Sequence, residues 1–261
     1  MMILDEIAAK TKERTSAAKE MLPLKEIRAI AQEKNSNTGF PFEKVLAKEG
    51  IRFICEVKKA SPSKGVIAEK FPYTDIALEY EKAGADAISV LTEPFYFQGS
   101  NAYLSEIRSK VQIPLLRKDF TVDEYMIYEA KTIGADAVLL ICAILSETQL
   151  QEYAGIAKEL GLSALVEAHD EREIEMAVKS GAGIIGVNNR NLKDFTVDID
   201  NSVRLRKLVP EDILFISESG MKSREDIARL EQNGTDAVLI GETLMRSADK
   251  KAMLSYLRGR A

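Results

Sequence analysis

The sequence predicts an α/β fold, a (β/α)8 or TIM barrel with an N-terminal helical extension, on three observations. From residue 52 onward, short β-branched or apolar runs alternate with amphipathic helical runs, the pattern of a parallel sheet with helical crossovers. A faint repeat (Gly84-Ala-Asp-Ala87, Gly134-Ala-Asp-Ala137, Gly181-Ala-Gly-Ile184, Gly234-Thr-Asp-Ala237) recurs about every 50 residues, two βα units, ending a helix and opening a strand each time. No GxGxxG follows any strand, as it would in a doubly wound nucleotide-binding sheet. A length of 261 residues suits one such barrel, so 1–261 is expected to be a single domain.

Residues 1–51 come first. They read as amphipathic helices (Ile3, Leu4, Ile7; Leu24, Ile27, Ile30), broken at Pro23 and by the loop from Asn35 to Gly39, and are expected to cap the barrel. Eight strands follow: Arg52 to Lys58, Ala87 to Thr92, Pro114 to Phe120, Ala137 to Ala143, Ser163 to Ala168, Ile184 to Asn189, Ile213 to Ser217 and Ala237 to Ile240. Between them, helices are predicted over Thr74 to Ala83, Val122 to Ile133, Glu147 to Leu160, Glu171 to Ser180 and Arg224 to Asn233.

Composition narrows the function. A formal charge of -5, with both signs interspersed, offers no basic stripe for nucleic acid. The start carries Asp5 and Glu6 among apolar residues and lacks a signal-peptide pattern, and the longest apolar run, Val138 to Leu145, is far short of a membrane span. The chain is thus expected in the cytoplasm with no membrane partner; a monomer is expected as well, although nothing in the composition bears on the oligomeric state. Cys55 and Cys142 sit in strand-like runs as reduced, apolar thiols. One histidine, with no CxxC or HExxH, gives no zinc site, and no metal or cofactor is expected.

In a barrel of this kind the chemistry lies at the C-terminal strand ends. The period of two puts Glu56 and Lys58 on one face of the first strand, with Cys55 and Val57 on the other. The same rule groups Lys118 with Phe120 on the third strand, Leu165 with Glu167 on the fifth, Gly186 with Asn188 and Arg190 on the sixth, and Ile216 with Glu218 on the seventh. Singly each charge could close a rim salt bridge. Five strands converging on one mouth instead assemble acid, base and anion anchor, as proton-transfer chemistry requires. The last two strands run into Ser217-Glu218-Ser219-Gly220 and Ile240-Gly241-Glu242, where glycines let backbone N–H groups approach a phosphate. His169 shares the Glu167 face and reads as a rim residue. On these grounds a phosphate-binding isomerase, a Schiff-base aldolase and a non-catalytic barrel all stay open.

Five blocks narrow the choice. Glu56-Val-Lys58-Lys-Ala-Ser61-Pro-Ser-Lys-Gly65, Arg117-Lys118-Asp119-Phe120, Leu165-Val-Glu167-Ala-His169, Gly186-Val-Asn188-Asn-Arg190-Asn-Leu192 and Ser217-Glu218-Ser219-Gly220 occur in order at successive strands. In these the chain resembles the indole-3-glycerol-phosphate synthases, and the likeness runs over residues 1 to 261. The resemblance implies a carboxy-lyase of tryptophan biosynthesis acting on 1-(2-carboxyphenylamino)-1-deoxyribulose 5-phosphate. It implies Lys118 as proton donor, Glu167 as general base, Lys58 as carboxylate anchor, Glu56 and Glu218 orienting the lysines, and Asn188 and Arg190 on the sugar and anionic end. Ser61, Ser219, Gly220, Gly241 and Glu242 would meet the phosphate, and Phe97 and Phe120 the aromatic ring. Glu242 departs from a small hydroxyl residue found in some members, so its contact is expected through backbone N–H, with the carboxylate turned away.

Overall fold

The computed structural model describes residues 3–191 and 193–260; Met1 and Met2 of the extension, Leu192 of the sixth-strand motif and Ala261 lie outside the described residues. Eight parallel strands close a barrel: β1 (Arg52–Val57), β2 (Ala87–Leu91), β3 (Leu115–Lys118), β4 (Ala137–Ile141), β5 (Ser163–Ala168), β6 (Ile184–Asn188), β7 (Leu214–Glu218) and β8 (Ala237–Ile240). Each strand pairs with its sequence neighbours, and β1 closes on β8 through the register Arg52 to Ala237.

Period-two alternation sorts the strands' apolar residues into two cores. Ile54, Leu116, Leu139, Leu165, Ile216 and Leu239 fill the lumen, whereas Phe53, Cys55, Leu115, Val138, Leu140 and Phe215 pack under the helices. Strand ends differ slightly from expectation. The fourth stops at Ile141 because Cys142–Ile144 turn into a single 3-10 turn, and the seventh runs on through Glu218, paired with Asn188.

The repeat has a structural purpose. Its four leading glycines end helices at left-handed φ of 88, 91, 79 and 73°. The aspartates two residues later stitch strand starts together: Asp86 accepts the N–H of Phe53 (2.9 Å), Asp136 that of Leu115 (2.9 Å) and Asp236 that of Phe215 (2.7 Å). The third copy has Gly183 at that position and makes no such bond through a side chain.

Outside the barrel lie α4 (Tyr73–Ala83), α5 (Asn101–Arg108), α6 (Tyr125–Thr132), α7 (Glu147–Glu159), α8 (Glu171–Lys179), α9 (Asp200–Leu205), α10 (Arg224–Gln232), α11 (Glu242–Arg246) and α12 (Lys250–Leu257). Their starts carry local signals: Ser146 with Gln149 and Ser223 with Asp226 form capping boxes, and Asp170 caps α8. The sequence reading passes over α5, although Ser100 caps it by accepting the N–H of Ala102 (3.2 Å).

The extension forms α1 (Ile3–Met21), α2 (Leu24–Gln32) and α3 (Pro41–Leu46), which divide three tasks. The helix α3 drives Phe42 and Leu46, both fully buried, into the N-terminal end of the lumen. Burial of each is worth roughly 1.5–3 kcal/mol. The second helix, α2, runs down the side against α6, where Arg28 meets Glu124 (2.8 Å) and the Tyr128 hydroxyl (2.9 Å). At the opposite end α1 lies beside the mouth, tied by Arg14 to Asp119 (2.9 Å), Lys19 to Asp123 (2.6 Å) and Glu6 to the Tyr96 hydroxyl (2.7 Å).

Candidate active site

A cavity of about 470 Å³ opens at the C-terminal strand ends, and every residue singled out in the sequence as catalytic or substrate-binding lines it. The wall alternates in character. Odd-numbered strands supply charge, through Glu56 and Lys58, Lys118, Glu167 and Glu218, while β2, β4 and β8 supply Leu91, Ile141 and Leu239. Only β6 breaks the alternation, with Asn188.

Lys118 is the hub. Its Nζ donates to Glu167 Oε2 and to Glu218 Oε2, 2.6 Å each, and the three side chains are nearly enclosed. Burial works against the ammonium, but the two carboxylates outweigh it and raise its pKa well above the ordinary lysine range. Burial also pushes up both carboxyls. At Glu167 the charges of Lys118 and His169 and a hydrogen bond from Asn188 Nδ2 (3.3 Å) reverse that and hold it well below the usual carboxylate range. At Glu218 burial and the neighbouring Glu167 prevail over Lys118, so its carboxyl is lifted to about 7. One ammonium thus fully stabilises one carboxylate, and the second becomes a proton-sharing group.

Lys58 pairs with Glu56 Oε1 at 2.5 Å on β1. Two glycines on neighbouring strands leave room for the acids. A Cβ at Gly186 would lie 2.3 Å from Glu218 Oε1, and one at Gly241 would lie 2.3 Å from Glu56 Oε1 and 2.8 Å from Lys58 Nζ. Gly241, read in the sequence as a phosphate cradle, is therefore also the clearance for the Glu56–Lys58 pair.

The strand ends are held from behind. Arg117 and Asp119 flank Lys118, Arg117 reaching under α6 and Asp119 lying at the edge of the cavity against α1. Arg117 donates to Glu129 (2.5 Å) and to the Met126 carbonyl (2.6 Å), and Asp119 accepts from Arg14 and from Thr92 (2.6 Å). Although burial opposes the Asp119 charge, Arg117 and Arg14 overcome it and lower its pKa. Lys118 is thereby flanked by two buried ions that are each engaged by partners other than Lys118.

On the apolar side Phe97 faces Phe120 with ring centroids 5.9 Å apart. Phe97 is placed by Glu93, a fully buried residue that the sequence reading missed; its carboxylate accepts the N–H groups of Phe95 (2.9 Å), Tyr96 (2.7 Å) and Phe97 (3.0 Å). The signal available was an acid directly after a strand and before Pro94. Ile3, Leu4 and Ile7 of α1 complete this wall, so the extension belongs to the site.

Opposite lie the glycine turns. Ser219 and Gly220 both have left-handed φ, 70 and 100°, and a Cβ on Gly220 would meet Val197 at 2.6 Å. Ser61 and Lys64, Lys222 and Arg246 line the same end. The Glu242 carboxylate lies 3.0 Å from Arg246 Nε and 3.9 Å from Lys64 Nζ, so its charge is compensated. Arg190 donates through Nη1 to the Phe195 carbonyl (3.2 Å), and its N–H donates to Asn188 Oδ1 (3.0 Å). His169 does not line the cavity: it sits behind Glu167, half-buried, rather than at a rim.

A closed parallel barrel with buried acid, base and paired cations at its C-terminal mouth is the build of a (β/α)8-barrel enzyme. Residues 4–257 match the family described as indole-3-glycerol phosphate synthase. The synthase of that name from Ruminiclostridium cellulolyticum is 57% identical over 260 residues, covering 100% of both chains, and that from Endomicrobium trichonymphae is 56% identical, covering 98% of this chain and 100% of the other. The chain belongs to the indole-3-glycerol phosphate synthase family. Among solved structures, 3-hexulose-6-phosphate synthase from Salmonella typhimurium shares the fold at a TM-score of 0.66 with 15% identity, covering 80% of this chain and 97% of that one. Thiamine phosphate pyrophosphorylase from Pyrococcus furiosus does so at 0.61 with 16% identity, covering 84% and 96%.

Proposed function

We propose that this chain forms indole-3-glycerol phosphate from 1-(2-carboxyphenylamino)-1-deoxyribulose 5-phosphate, releasing carbon dioxide and water, with Lys118 as the acid of ring closure and Glu167 as the base of dehydration. The observation that carries the division of labour is the Lys118 ammonium held at 2.6 Å by both Glu167 and Glu218 on the cavity wall. Ring closure turns the ketone oxygen into an alkoxide, which needs a proton from a rigidly placed cation. The ring then sheds its carboxylate as carbon dioxide, and its electrons pass into the substrate's own iminium, so no organic cofactor is needed. Aromatisation removes a ring proton as the new hydroxyl leaves, a task for Glu167, which is ionised and lines the cavity wall beside Lys118.

Lys58 anchors the departing carboxylate and Glu56 orients Lys58, while Glu218 orients Lys118. Asn188 and Arg190 hold the sugar hydroxyls and the anionic end. Ser61, Ser219, Gly220, Gly241 and Glu242 receive the phosphate, the last two through backbone N–H groups at the start of α11. Phe97 and Phe120 flank the anthranilate ring, and their apolar surface disfavours a solvated carboxylate. The chain acts as a single unit, a cytoplasmic monomer on a small phosphorylated substrate without nucleic-acid partners; no described helix is long and apolar enough to cross a membrane.

Synthetic substrate tests the reading. The wild-type protein is expected to generate indole absorbance and labelled carbon dioxide together. Glu167→Gln is expected to release carbon dioxide in a single turnover without indole absorbance. Carbon dioxide release by Lys118→Met but not by Glu167→Gln would reverse the two roles.

A further inference from the structure

Behind the cavity wall, the protein's one histidine occupies a place that the reaction does not account for. His169 follows β5 by one residue, and its main chain is fixed twice. Its N–H donates to Glu173 Oε2 (2.8 Å), and its carbonyl accepts from Asn201 Nδ2 of α9 (3.1 Å). The ring is fixed too, with Nδ1 3.0 Å from the same Glu173 oxygen. A carboxylate can only accept, so Nδ1 carries the hydrogen. The other nitrogen, Nε2, has no hydrogen-bond partner and lies 3.4 Å from Glu167 Oε1, the oxygen that Lys118 does not hold.

We propose that His169 is a positioning residue for Glu167: anchored from behind by Glu173, it presents a protonated Nε2 to Oε1 and, with Asn188, holds that oxygen toward the substrate. The proposal rests on the assignment of Glu167 as the base. The geometry disfavours the neutral form of the ring. With Nδ1 bearing its hydrogen, a neutral ring would turn the Nε2 lone pair toward an anionic oxygen in a nearly enclosed space. A proton on Nε2 turns that repulsion into a charge-assisted contact.

The surroundings favour the cation. Glu167 faces the ring from β5, Glu218 acts on it from β7 and Glu173 from α8. The cation on that side, Lys118, is already engaged by Glu167 and Glu218, and the Cys142 thiol, after β4, is neutral because burial pushes its pKa up. Asp170 is turned to the α8 N-terminus, where it accepts the N–H of Glu173. Burial alone would lower the imidazole pKa, but the Glu173 hydrogen bond and the charges of Glu167, Glu173 and Glu218 overcome it and raise it. His169 thus adds a second positive charge to Glu167 without touching substrate, and it is removable by pH where Lys118 is not.

Because the chain has one histidine, its ring signals in NMR of the full-length protein are assigned without ambiguity. The ring is expected to titrate above the ordinary value of about 6.5, and lower in both Glu167→Gln and Glu173→Gln. This measurement needs no substrate, so it stands or falls apart from the reaction scheme. In kinetics, His169→Ala is expected to lower kcat about tenfold with KM within about threefold, and His169→Gln, which keeps a donor near Oε1, to recover part of the loss. A ring titration indifferent to Glu167→Gln would overturn the proposal, as would full kcat in His169→Ala. So would equal loss in the alanine and glutamine variants accompanied by a lowered melting temperature, which marks a structural role.

Discussion

The two ends of the barrel lumen use the same eight strands to opposite effect. At the N-terminal end the inward positions of β1, β3, β5 and β7 are Ile54, Leu116, Leu165 and Ile216, closed over by Phe42 and Leu46 from α3. Two residues further along each of those strands the inward positions are Glu56, Lys118, Glu167 and Glu218. The first layer is stabilised by excluding water, and substitutions there act on folding. The second layer places charges where water is scarce. They persist because each acid has a cation within about 2.6 Å and two glycines give them space. A two-residue step therefore separates the part of the lumen that keeps the barrel closed from the part that does chemistry.

The comparison breaks most readily at Lys118. Lys118→Met is expected to lower turnover by roughly 10² to 10⁴ while substrate affinity stays within about tenfold, because phosphate and ring contacts lie elsewhere. Steady-state kinetics with a melting curve checks it, and a large loss of stability with little loss of kcat would erase the distinction between the two layers. Phe42→Ala tests the opposite end. It should cost about 3–5 kcal/mol in a denaturant titration, with kcat and KM of the folded protein within about twofold of wild type. A kcat falling tenfold in the folded variant would mean that the plug also shapes the mouth.

A smaller effect probes the proton shared in the upper layer. Rising pH ionises Glu218 near 7, which sets a second negative charge on Lys118 and strengthens its hold on its proton. Activity should then decline on the alkaline side, with a limb near pH 7 in the kcat/KM profile that Glu218→Gln flattens. An unchanged profile in that variant would remove Glu218 from the titrating set. Smallest of all, inorganic phosphate should compete with substrate at the glycine turns, as seen in KM rising with phosphate concentration. Equal inhibition by chloride would assign the effect to ionic strength.

The sequence was most legible where periodicity and chemistry coincide. Glu56 and Lys58, or Leu165 and Glu167, declare their common face by spacing alone, and the strand count follows from the alternation of short apolar runs with amphipathic helical ones. It was less legible where partners are remote. Arg14 lies 105 positions from Asp119, and α1 gives no local sign that Ile3, Leu4 and Ile7 wall the cavity. Glu93 was passed over altogether, because its three backbone bonds appear only once the loop folds around it.

By itself, then, the sequence determined the alternation of strand and helix, the inward set on each strand and the inventory of acids and bases at the mouth, because these depend on interactions between residues close in the chain. Tertiary structure decided how those groups were matched. Lys118 rather than Lys58 bridges two acids, Gly241 makes room for Glu56, and His169 stands behind Glu167. Barrel closure brings strands separated by 49 or 100 residues within hydrogen-bond reach. Pairing and desolvation, which set the charge of each group, exist only at that distance.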